Sequence, residues 1–139
     1  MEKFYSKADP NLLLHIVVRF SDFNQERLDV IDTDNFLQFS LLRFDEGRTF
    51  KPHSHITNSI DYTESKAQES WVVLRGVVKC TFYDIDDSVL AEPVLNERDA
   101  CFTLDGGHTF TILEDHTCVM EFKTGPYSGQ INDKRFIDA

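Results

Sequence analysis

Cysteine is scarce and awkwardly placed. The chain has three, Cys80, Cys101 and Cys118, an odd number with no CxxC pair. That pattern excludes a disulfide framework and a zinc ribbon as organising devices. Cys80 and Cys118 fall inside apolar runs, where cysteine reads as a small core hydrophobe. A reducing compartment suits such a chain, and the expected location is the cytoplasm. Long hydrophobic runs are also lacking. The early run over residues 12–18 is broken by His15 and stopped by Arg19. It is too short for a membrane span, and the opening MEKFYSKADP carries no signal-peptide cleavage pattern. Low-complexity segments and fixed-period repeats are absent. Positive charge is in deficit: 14 Lys and Arg against 24 Asp and Glu leave a net charge of −10. Such a surface repels phosphate backbones and anionic lipid, so neither nucleic acid nor membrane is an expected partner. Small anionic molecules stay open, because a metal or a few basic groups can invert the field inside a pocket.

What is present describes one soluble domain, residues 1–139. Hydrophobic residues make up 41% and charged residues 27%, which excludes disorder, collagen and coiled coil. A globule of this size buries roughly two-thirds of its unfolded surface. Twelve Phe residues favour strands. Strand-like runs recur over 12–20, 36–44, 71–74, 78–83, 100–104, 109–113 and 118–122. Turn chemistry separates them at Asp45-Glu46-Gly47, Arg75-Gly76, residues 84–88, Asp105-Gly106-Gly107 and Glu114-Asp115. This rhythm predicts an all-β sandwich or barrel rather than βαβ units. One weak helix is expected over 22–30, with Ser21 or Asp22 as its N-cap. The tail beyond 123 is polar and turn-rich, with a small apolar anchor at Phe136-Ile137.

Five histidines stand at 15, 53, 55, 108 and 116. His53 and His55 form an HxH pair. On a strand, residues two apart share a face, roughly 6.6 Å apart along the chain, so two imidazoles can converge on one ion. Gly47 precedes His53 by a five-residue gap. Glu69 lies downstream, and six residues separate it from Gly76, with SWVVLR as the intervening strand. These residues resemble the first motif of the cupin superfamily, G(X)5HXH(X)3-4E(X)6G. The departure is in the middle, where residues 56–68 separate His55 from Glu69. The second cupin motif, G(X)5PXG(X)2H(X)3N, is matched loosely by His108 after Gly106-Gly107. Its Pro is absent, and Ile112 stands where its Asn would be. The resemblance covers about residues 36–122, with 1–35 as an N-terminal strand extension and 123–139 as a tail.

The cupin resemblance implies a double-stranded β-helix, that is, a jelly-roll barrel. It implies a divalent metal ion, Zn, Fe, Mn or Ni, held by His53, His55, Glu69 and His108. Imidazole suits such ions, a carboxylate lowers the charge of the site, and open positions admit substrate or water. His15, inside LLLHIVV, is expected to be a satisfied or partly exposed histidine and no ligand. His116, in a turn, is expected to face solvent. Trp71 shares strand parity with Glu69, as Arg75 does, and Lys51 shares parity with the HxH pair. Lys51 and Arg75 either meet an anionic ligand or face water at the rim. Tyr62 and Tyr83 are further proton-donor candidates.

Three segments, around Phe36-Leu37-Gln38, around Pro52-His53 and from Thr124 onward, resemble small single-domain cupins of surface-polysaccharide and nucleotide-sugar pathways. This implies a carbohydrate or related oxygenated small molecule as ligand. The leading expectation is a metal-dependent isomerase or epimerase with Glu69 as candidate base. The alternatives are a metal-dependent dioxygenase and a non-catalytic ligand-binding module, since fold alone does not choose the chemistry. A homodimer is expected, joined through the apolar run 12–20 as an edge strand.

Overall fold

The computed structural model describes residues 1–32, 35–55, 66–125 and 133–138. Eleven strands are found there: β1 (Glu2–Tyr5), β2 (Leu13–Val18), β3 (Arg27–Asp29), β4 (Ser40–Leu42), β5 (Glu69–Arg75), β6 (Val78–Tyr83), β7 (Val89–Ala91), β8 (Val94–Leu95), β9 (Ala100–Thr103), β10 (Gly107–Ile112) and β11 (Cys118–Lys123). A 3-10 turn spans Phe20–Asp22. Among the described residues only Asp133 is α-helical, and no helix is long and apolar enough to cross a membrane. All strand pairs are antiparallel.

The strands make three layers around a central sheet of order β1-β2-β9-β5-β11. Period-two alternation explains why. Ile16, Val18, Ala100, Phe102 and Val72 lie on one face and pack with Leu28, Val30, Ile31, Phe39 and Leu41 of the β3–β4 hairpin and its flanks. Val17, Cys101, Trp71, Val73 and Val119 lie on the other face. They pack with Val78, Cys80, Phe82 and Phe110 of a second sheet, β10-β6-β7, in which β8 also pairs with β6. The central strands are therefore mostly apolar on both faces, so 12–18 reads as a hydrophobic run interrupted only by His15.

The sandwich expected from the sequence is present, and several elements differ in detail. The expected helix over 22–30 is not formed. The 3-10 turn ends at Asp22, and residues 27–29 instead pair with β4 so that Leu28, Val30 and Ile31 can bury against the central sheet. The expected strand over 36–44 shrinks to Ser40–Leu42. Side-chain bonds replace its ladder: Gln38 Nε2 donates to the carbonyls of Asp32 and Asn35, and Leu37 N–H donates to Gln68 Oε1. β2 is not an edge strand. It is held by β1 on one side and β9 on the other, so it cannot pair across a dimer. β1 and β11 are the two outermost strands of that sheet.

Candidate functional site

The register places one polar row at an end of the sandwich. Lys123, Glu69, Thr103 and His15 are successive Cα partners across β11, β5, β9 and β2, so they share the face turned to the second sheet. The next row on that face is Glu121, Trp71, Cys101 and Val17. On the facing sheet His108 pairs with Phe82, and Phe110 with Cys80. Contacts across the gap join matching rows. The His15 ring stacks on Phe82 with centroids 4.3 Å apart, and Trp71 stacks on Phe110 at 3.9 Å. Cys80 Sγ lies 3.9 Å from Cys101 Sγ. His108 Nε2 lies 3.4 Å from Glu69 Oε1.

Glu69 is the hub. Its side chain is 11% exposed, and Oε1 also accepts from Trp71 Nε1–H at 3.2 Å. The same indole N–H reaches Glu121 Oε2 at 3.1 Å. The hydrogen bond from His108 holds the Glu69 carboxyl down at about 2, against the opposing effect of burial. The charges of His108 and Lys134 and the Trp71 hydrogen bond act in the same direction. Glu69 is thus a carboxylate throughout the physiological range, a strong hydrogen-bond acceptor and a weak base.

His108 reaches this position through the turn before it. Gly106 has φ +74°, and a Cβ there would sit 2.5 Å from the Tyr83 carbonyl oxygen and 3.2 Å from His15 Nε2. Only glycine passes so close to the chain in that conformation. Of the two expectations for His15, satisfied or partly exposed, the first holds: the ring is fully buried and both its nitrogens have partners. Its Nδ1 lies 3.2 Å from Thr103 Oγ1 and its Nε2 3.2 Å from the Tyr83 carbonyl. The carbonyl can only accept, so Nε2 carries the proton and Nδ1 accepts from the hydroxyl. Burial pushes the ring down to about 4.

His53 and His55 are not on a strand. They lie exposed on an irregular segment, their ring centroids 5.4 Å apart. Pro52 supplies no N–H to a ladder, and His53 Nδ1 engages the Lys51 carbonyl at 3.0 Å. The four candidates therefore form two pairs, Glu69 with His108 and His53 with His55. Among the described residues no three His, Cys, Asp or Glu side chains gather closely enough to hold a metal ion. Lys51 and Arg75 face water. Tyr83 is buried and contributes its carbonyl, Tyr62 lies outside the described residues, and His116 sits exposed in a turn at φ +60°.

Sequence reasoning missed Glu121, Lys123, Phe110 and Thr103. Two signals were available. Phe110 shares parity with His108, and Glu121 is a charge inside the apolar run VMEF. Comparisons with family models, with curated proteins and with solved structures found no match to this chain.

Proposed function

We propose that this chain is a small cupin-type barrel that binds a sugar or related oxygenated small molecule at the Glu69–His108 end and isomerises or epimerises it. The observation that carries the reading is the Glu69–His108 pair, set beside the Trp71–Phe110 stack. A buried carboxylate hydrogen-bonded to imidazole is the usual arrangement for orienting a proton-transfer group. Stacked aromatic rings offer an apolar wall to a sugar ring. In this reading Glu69 orients and His108 takes a proton from the carbon beside a substrate carbonyl, leaving an enediolate. Return of that proton to the opposite face or to the adjacent carbon gives the epimer or the isomer.

The test is deuterium exchange from D2O into the C–H beside the carbonyl of a panel of keto-sugars, read by NMR. Wild type should exchange. His108→Gln should exchange about 10²- to 10⁴-fold more slowly, the usual range for losing a general base, and Glu69→Gln should lose less. No exchange in wild type, or undiminished exchange in His108→Gln, refutes the isomerase. Oxygen uptake instead would indicate the dioxygenase, and binding without turnover the accessory module.

The metal implied by the cupin resemblance does not fit the four residues as they are placed, so no step is routed through it. One observation favours a second reading that retains it. Among the described residues no strand occupies the outer edge of β10, next to His108. Residues 49–55 laid along that edge would bring His53 and His55 to His108 and Glu69. A divalent ion held there would polarise substrate oxygens. Elemental analysis decides it. This reading expects about one equivalent of a divalent metal in wild type, lost in His53→Ala and in His108→Ala, and kept in the His15→Ala and His116→Ala controls.

Cytoplasmic residence and a homodimer belong to the same proposal. Three free thiols suit a reducing compartment. The joining edge would be β11, because an edge strand pairs with its own copy antiparallel about a two-fold axis.

A further inference from the structure

The described C-terminal residues cross the end of the sandwich where Glu69 and His108 meet. Asp133 Oδ2 lies 3.1 Å from Lys123 Nζ, a pair only 15% and 20% exposed. Lys123 is the register partner of Glu69 and lies on the same inward face. Two residues on, Arg135 makes a bidentate pair with Asp87, at 2.8 and 2.7 Å. Asp87 stands in the turn between β6 and β7, on the opposite sheet. Ile137 then packs over Gly107, so closely that a Cβ on the glycine would collide with Ile137 Cδ1. Gly107 is the residue before His108 and the register partner of Tyr83. The segment is thus anchored on the central sheet at one end and on the facing sheet at the other, with the polar row beneath it.

We propose that residues 133–138 form a strap over the Glu69–His108 site, held by the Lys123–Asp133 and Asp87–Arg135 ion pairs and by Ile137, and that its release admits ligand. The anchors are suited to reversible closure. The Asp87–Arg135 pair is exposed on both sides, so salt and solvent weaken it. Ile137 is half-buried and lies against Gly107. Phe136 between them is 72% exposed. The strap also brings the positive charge of Lys134 to bear on Glu69, a charge the site loses when the strap lifts. The strap itself is independent of catalysis; only its role as a ligand gate rests on the function proposed above.

Trp71 is the only tryptophan, and its indole N–H bonds to Glu69 under the strap, so its fluorescence reports closure without any substrate. Acrylamide quenching of the full chain is the experiment. Asp133→Asn with Arg135→Ala should raise the quenching constant at least about twofold at low salt. Wild type should move the same way at about 0.5 M salt, where the Debye length is only a few Å, while the double variant stays unchanged. Ile137→Ala, which alters no charge, should raise quenching at both salt concentrations. Unchanged far-UV circular dichroism in each variant shows that the sandwich persists. Equal quenching in wild type, the double variant and Ile137→Ala would overturn the strap. A strap confirmed in a protein that exchanges no deuterium into sugars would leave the strap standing and the isomerase refuted.

Discussion

His15 and Glu69 show how one row of side chains divides its work by environment. Both pKa values are lowered, for opposite reasons. Burial disfavours the charged form of His15, while the His108 hydrogen bond favours the charged form of Glu69. Above pH 6.5 His15 is neutral in both the folded and unfolded chain, so it adds no pH dependence. As pH falls from 6.5 toward 4, the unfolded chain takes up a proton that the folded chain refuses. Stability is therefore lost in that window, by about 3 kcal/mol at its acid end. Glu69 adds stability that is present above its ordinary value of 4.5 and is lost as pH falls toward 2. Urea midpoints measured from pH 7 to pH 3 should show the first loss before the second. In His15→Gln the loss between pH 6.5 and 4 should shrink sharply; an unchanged profile would contradict the buried neutral imidazole.

At the scale of elements, β11 differs from its neighbours. β2 and β9 bury both faces, whereas β11 exposes Met120 at 43% and Phe122 at 49%, and adjacent Leu74 on β5 is 46% exposed. Met120 and Phe122 stand opposite Val72 and Ser70, on the face turned away from Glu69. An outermost strand with an apolar flank is a template for pairing unless something covers it. Light scattering at micromolar concentration should give the mass of a dimer. Met120→Lys together with Phe122→Lys should shift it to monomer and leave circular dichroism unchanged. A monomeric wild type would remove the dimer from the proposal. The turns follow the same local logic. Gly76 and Gly106 both have positive φ, at two glycine-marked turns that carry the chain from one sheet to the other, from β5 to β6 and from β9 to β10. Residues 22–30 have an exposed polar start that resembles a helix N-terminus, while Leu28, Val30 and Ile31 find their burial in the β3–β4 hairpin and its flanks.

For the whole molecule, the gap between the two larger sheets is where stability and the site meet. Phe82 is fully buried and touches both: it stacks on His15 and packs edge-on to Phe4 at 5.5 Å. Phe82→Ala should cost about 3–5 kcal/mol in denaturant unfolding, the usual result for emptying an aromatic core position. Phe136→Ala, exposed on the strap, should stay within about 0.5 kcal/mol. Comparable losses at both positions would mean that the sandwich is not packed as described.

Much of this was legible in the chain itself. Seven of the eleven strands among the described residues, their turns and the shared face of Glu69 and Trp71 follow from period-two alternation, glycine placement and the absence of helical periodicity. These are local properties, carried by neighbours in sequence. The meeting of Glu69 with His108 lies partly within reach, because a motif named both residues. The distance between them, the row His15–Thr103–Glu69–Lys123 and the strap from Asp133 to Ile137 are matters of register between strands far apart in the chain. Register is chosen by the packing of two sheet faces at once, and no window of sequence contains both. The HxH spacing shows the reverse case: its strand reading required a ladder partner, and Pro52 with the Lys51 carbonyl bond took the segment elsewhere.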